Sequence, residues 1–387
     1  MEHHAVTSII LPFLVFFPFL GAVIGYVIGR SNKNARDLWG WLVSAVVFAA
    51  SLLLIGKETV YSIPGFCGLG IQFAADGFGV ILAVLTSAIW LITTIFSKEY
   101  MAQGECNRNR YYLFVFLTLG ATMGIFLSAD LFTTFIFFEM MSFTSFVLVM
   151  HEEDDATIRA AHTYLAVAVI GGLVTLMGLF MMYQMAGTLN MAELSAFMQA
   201  QEDKSSFYLT GVLILFGFAA KAGLFPLHVW LPAAYTVAPA PSSALLSCLL
   251  TKTGVFGTII VSCKLFMHDA KWGSLILLCI LLSVIQDVIM SRVTVFGTTT
   301  DLIPMVILLI TLAAKQDYDS FYELEIGLRR VQNCPPFGDL ASVTFTGQEE
   351  GRVLRGAVKF RDSLLACLQQ PDYKTETCTT LGPAPCV

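Results

Sequence analysis

The sequence predicts an all-helical polytopic membrane bundle with a broken seventh helix, followed by a small soluble α+β tail. Three observations predict it. Apolar runs of about 20 residues recur between positions 8 and 291, the length that crosses a bilayer as a helix. The chain is 56% hydrophobic and 13% charged, whereas a soluble domain carries roughly 25% charged residues. Beyond residue 314 the sequence turns soluble in character. The apolar runs are continuous, not alternating, so helices and not barrel strands satisfy the backbone in lipid.

The spans follow in order. The first, 8–29, is too long for a signal peptide and lacks a basic start and a small-residue cleavage site, so it is a retained helix. Others fall at 38–56, 75–97, 112–128, 131–150, 160–184, 208–225 with a short continuation to about 237, 243–265 and 273–291. The seventh is expected to break between Gly223 and Leu227, because Pro226 removes a backbone donor. A last apolar run, 302–314, is short and holds Pro304; it crosses only if it starts near Val295. Arg30, Lys33, Arg36, Lys98, Arg108, Arg110 and Arg159 fall in alternate loops, which sets that side as cytoplasmic and the N-terminus outside. The nine cysteines show no metal-like spacing and no disulfide framework. Cys248, Cys263 and Cys279, within apolar runs, read as packing residues. The net charge of −6 says little, because it pools loops with a polar tail, but there is no basic block suited to nucleic acid.

The tail reads as helix over 319–331 and 349–368 and strand over 340–346 and 375–381. Two helices and two strands give a thin core, and the pattern is that of a truncated unit.

Chemistry concentrates on charges inside apolar runs. Glu139, Lys221 and Lys252 each lie within a span, where a charge costs at least a few kcal/mol and usually serves function. Desolvation disfavours a charged lysine and a nearby carboxylate restores it, so Lys221 with Glu139 can act as a proton switch. A helix broken beside Lys221 frees backbone groups to line a wet cavity. His228 can relay protons near neutrality, or be a satisfied structural histidine. Lys221, His228 and Lys252 would form a polar line at mid-depth, and Glu139, Lys221 and Lys252 are expected to point into the bundle. The competing reading of Glu139 with Lys221 is a structural ion pair. His162 and Tyr164 read as interfacial anchors, Asp76 and Asp130 as helix caps, and Asp287 as a weaker intramembrane candidate without a visible partner.

Three stretches carry a family resemblance: FAADGFGVILAVLTSAIWLITTIFSKEYM, SADLFTTFIFFEMMSFTSFVLV and GFAAKAGLFPLHVWLPAAYTVAPAPSSALLSCLLTKTGVFG. Residues 1 to about 275 resemble the antiporter-like membrane subunits of respiratory complex I, Mrp-type antiporters and membrane-bound hydrogenases. The resemblance implies that Glu139 is the fifth-helix glutamate, Lys221 the lysine of the broken seventh helix, Lys252 the eighth-helix lysine and His228 the histidine of the PLHxWLP segment. It implies proton or cation translocation in a multisubunit assembly of the bacterial cytoplasmic membrane. Its partners would be other membrane subunits and the lipid bilayer, with no cofactor and no redox centre in this chain. The second, inverted half of that family does not follow. Residues 276–314 instead supply further membrane helices, of which 278–312 resemble the start of the rod-shape-determining protein MreD. Residues 313–387, with QDYDSFYELEIGLRR and PPFGDL, resemble part of the C-terminal domain of the primosomal helicase PriA, yet no nucleic-acid partner is expected. The alternative is a non-catalytic membrane scaffold or a non-functional fusion of gene fragments.

Overall fold

The computed structural model describes residues 6–102, 107–201, 203–267, 269–290, 355–356 and 358–363, without the side chains of residues 6, 67 and 285–290. The chain divides into two compact units, Met1–Ser283 and Val284–Val387. The first is a helix bundle. Its membrane-length helices are α1 (Ile10–Ser31), α2 (Lys33–Leu52), α3 (Gly77–Ala102), α4 (Arg108–Phe126), α5 (Leu131–Val149) and α6 (Asp155–Ala186). A short α7 (Met191–Gln199) precedes two interrupted spans. One joins α8 (Tyr208–Ala222) to α9 (Trp230–Val237); the other joins α10 (Ala240–Leu245) to α11 (Thr251–Ile260). Then comes α12 (Ala270–Met290).

Among the described residues, seven helical segments are long and apolar enough to cross a membrane. The 19-residue α4 is not among them, for it opens on Arg108 and Arg110; yet thirteen of its residues are buried, which makes it the central post of the bundle. Helices α1 and α5 pack on it. Hydroxyl pairs add interhelical hydrogen bonds in place of a hydrophobic drive. Ser44 on α2 bonds Thr94 on α3 at 3.0 Å, and Ser51 bonds Ser87 at 2.9 Å.

The two ends of the bundle differ. At one end the basic connections meet. Arg36 donates to Asn109 at 2.6 Å, and Arg110 pairs with Glu153 and donates to the His151 carbonyl at 2.6 Å. The alternation of basic loops read from the sequence therefore corresponds to a real clustering. At the other end lies a three-stranded sheet that the sequence did not announce. Its strands are β1 (Val6–Thr7), β2 (Thr59–Ile63) and β3 (Ile71–Ala74), in the order β1-β2-β3. β1 pairs with β2 in parallel and β2 with β3 antiparallel, Val60 opposite Ala74. Backbone bonds from Ala74 to Leu127 (2.8 Å), Ala129 to Gln72 (2.9 Å) and Met191 to Ala129 (3.1 Å) tie the links before α3, α5 and α7 into one plate. Asp130 caps α5, accepting from the Thr133 amide at 2.7 Å, and Asp76 accepts from Gly79 at 2.6 Å, so both act as the expected caps.

Of the second unit, residues 355–356 and 358–363 are helical, within the helix expected over 349–368. The other tail elements, at 319–331, 340–346 and 375–381, and the run 302–314 lie outside the described residues.

Candidate functional site

Lys221 stands in the last turn of α8, where the helix dipole favours a cation. It is 4% exposed. The helix ends one residue later because Gly223, at φ +79°, adopts the left-handed turn that side chains with a Cβ resist. The break lies where the sequence placed it, between Gly223 and Leu227. The backbone groups it frees are satisfied: the Trp230 indole donates to the Ala220 carbonyl at 2.9 Å, Leu224 donates to Ala219 at 3.0 Å, and the Phe225 amide donates to Ser283 at 2.8 Å.

The partners of Lys221 are hydroxyls and aromatic faces. Its ammonium donates to the Tyr164 phenol and lies 3.5 Å from the Ser142 hydroxyl. It sits 4.4 Å from the Tyr164 ring centroid and 5.6 Å from that of Trp230, distances at which the ring quadrupole attracts a cation. Tyr164 in turn shares a 2.6 Å hydrogen bond with Ser145 on α5. Tyr164 is thus no interfacial anchor: it is 1% exposed and central to the site. His162, two residues away, does face outward. A small cavity opens against this group, lined among others by Phe138, Ser142, Tyr164, Gly217, Lys221 and Trp230.

Glu139 lies on α5, one turn before Ser142. Its carboxylate packs against Gly172 of α6, where an added Cβ would come within 2.4 Å of it. Its Oε1 is buried without a hydrogen-bond partner. Among the described residues no ion pair joins Glu139 to Lys221, so the lysine rests on a tyrosine and not on the carboxylate.

Lys252 does not face inward as expected. It is exposed, while Thr251 and Thr253 beside it are buried. Its ammonium donates back to the Ser247 carbonyl at 2.8 Å. The cause is a π-helical turn, Leu246–Leu250, just before it. One extra residue in a turn rotates all that follows by about 100°. Cys248 and Cys263 share the exposed stripe and are not packing residues, whereas Cys279 is partly buried. His228 is half-buried in the turn after the break and stacks on Phe225, centroids 6.2 Å apart. The side chain of Asp287 lies outside the described residues. No group of three or more His, Cys, Asp or Glu side chains among the described residues could hold a metal.

His151 escaped the sequence reading, because it heads a charged stretch that resembles a solvated loop. It is 2% exposed. Burial pushes its imidazole from 6.5 down to about 4, and the Arg110 guanidinium adds to the fall. The unfolded chain takes up this proton below 6.5 and the native fold takes it up only near 4. Stability is therefore complete above 6.5 and falls toward pH 4, by about 3 kcal/mol from this group. His151→Gln should flatten that part of the profile in thermal unfolding of the detergent-solubilised chain. An unchanged acid slope would show that the ring is not buried neutral.

The candidate site is thus a buried lysine held by phenol and hydroxyl groups at a helix break inside a multi-pass bundle. Residues 128–295 match the family described as NADH:quinone oxidoreductase/Mrp antiporter, TM. A Na(+)/H(+) antiporter subunit of Bacillus subtilis (strain 168) is 31% identical over 271 residues, 68% of this chain and 54% of that protein. A chain of the membrane-bound sulfane sulfur reductase (MBS), an archaeal respiratory membrane complex, superposes with a TM-score of 0.61 at 26% identity, over 67% of this chain and 42% of its own. A chain of the Mrp complex from Dietzia sp. DQ12-45-1b superposes with a TM-score of 0.58, also at 26% identity, over 67% of this chain and 49% of its own. Over these residues the chain is similar to the antiporter-like membrane subunits of the Mrp and complex I kind. The chain spans about half the length of the curated relatives it matches.

Proposed function

We propose that this chain translocates a proton, coupled or not to another cation, as one membrane subunit of a larger assembly in a bacterial cytoplasmic membrane. The observation that carries the reading is Lys221: an amine buried at a helix break, hydrogen-bonded to a chain of hydroxyls, with no ion-pair partner among the described residues. Such an amine can gain and lose a proton without breaking a salt bridge. Glu139, on the adjoining turn of α5, supplies the counter-charge that favours the ammonium when the two approach. The basic end of the bundle faces the cytoplasm on this reading.

Lys252 extends the reading to partners. An ammonium set against lipid at mid-span costs a few kcal/mol. The exposed stripe of α10 and α11 that carries it is therefore read as a face covered by protein in the assembly. No step calls for a cofactor in this chain. The resemblances of 278–312 to MreD and of 313–387 to part of PriA remain a reading of the sequence, and the tail takes no part in transport.

Reconstitution of the assembly into vesicles tests the reading. Glu139→Gln, which keeps size and removes charge, should slow proton flux by about tenfold or more. A wild-type flux in that variant would remove Glu139 from the path and leave it a packing residue against Gly172.

A further inference from the structure

A second polar cluster lies below the basic end of the bundle. Neither ring nitrogen of His151 has a hydrogen-bond partner. The ring stands edge-on to Tyr111 of α4, centroids 5.6 Å apart. The Tyr111 hydroxyl shares a 2.8 Å hydrogen bond with Ser97 of α3. Ser242, in the first turn of α10, is fully buried beside the same phenol, within hydrogen-bonding reach of it. Four elements thus meet around one buried ring, both of whose nitrogens lack a partner. An unsatisfied buried polar atom costs about 1–3 kcal/mol, and sites with several of them hold ordered water.

Position gives the cluster its meaning. His151 follows directly on α5, whose inner face carries Ser145 and Ser142, the hydroxyls around Tyr164 and Lys221. Ser242 heads the span that leads to Lys252. We propose that His151, Tyr111, Ser97 and Ser242 form a water-holding proton intake site at the basic end of the bundle, which feeds Lys221 through Ser145 and Tyr164. The inference rests on the translocation reading above.

The transfer balances without electrons or co-reactants. A proton from water at the loop end adds to one nitrogen of the neutral imidazole. The N–H on the other nitrogen is released to enclosed water, and the ring is neutral again. The proton passes to Ser145, which gives its own to Tyr164, which gives its own to the neutral Lys221 amine. The charged and titratable groups around the ring are Arg110 and Tyr111 from α4 and Glu153 from its own connection. Arg110 opposes a lasting positive charge there, so the proton moves on.

Two measurements test this. Hydroxyl-radical labelling of the full chain in lipid discs reports water beside buried rings. Tyr111 should label well above Phe126, a ring of similar burial in the same helix; equal labelling overturns the proposal. In the reconstituted assembly, His151→Phe and the milder His151→Gln should each lower proton flux by about tenfold. Wild-type flux in His151→Gln, with Lys221→Ala inactive, sinks the intake site and leaves the translocation reading standing. Wild-type flux in Lys221→Ala sinks both.

Discussion

Lys221→Ala is expected to lower proton flux through the reconstituted assembly to below about one-hundredth of the wild-type rate, with the bundle still assembled. The two halves of this expectation have separate causes. Flux falls because the buried amine is the group that accepts the proton handed on by Tyr164. Assembly survives because burying an amine is costly, and its removal relieves that cost. The phenol does not become an orphan, since Tyr164 keeps its 2.6 Å bond to Ser145. The melting temperature in detergent should therefore stay level or rise. A variant that loses flux and also falls apart would make Lys221 a structural strut and not a carrier.

Gly254→Val is expected to do the opposite and destroy the bundle itself. Helices α8 and α11 approach so closely at this position that a Cβ would lie 2.4 Å from the Ala222 amide nitrogen and 2.4 Å from the Phe218 carbonyl oxygen. Both are backbone atoms, and neither can step aside as a side-chain tip can. Overpacking of this kind costs about 3 kcal/mol or more. The strain falls one helical turn from Lys221, beside the break that α8 ends on. Thermal unfolding in detergent should show a large loss, with little folded protein recovered. A stable Gly254→Val variant would mean that the backbones of α8 and α11 do not touch at this position.

Much of this architecture was legible in the sequence. Apolar runs marked the spans, and Gly223 with Pro226 marked the break, because each has a local cause that needs no partner. Glu139 and Lys221 stood out for the same reason, as charges in apolar segments. What stayed hidden depends on rotation and on neighbours. Tyr164 near the start of a span looks the same whether it meets headgroups or a lysine 57 residues later. The outward face of Lys252 is not legible in the sequence, because the π-helical turn before it changes the face of everything downstream. The sheet escaped notice because its strands have two, five and four residues, too short to show alternation. His151 was concealed by its acidic neighbours, which stay at the surface while the ring does not.

The most direct test of the central claim, that Lys221 carries a proton and not merely a charge, is proton flux through the reconstituted assembly with Lys221→Arg. A guanidinium keeps the positive charge but does not release its proton near neutral pH. The account predicts an assembled complex with flux close to that of Lys221→Ala. Flux at the wild-type rate would contradict it and would make Lys221 a fixed charge beside a path that runs elsewhere.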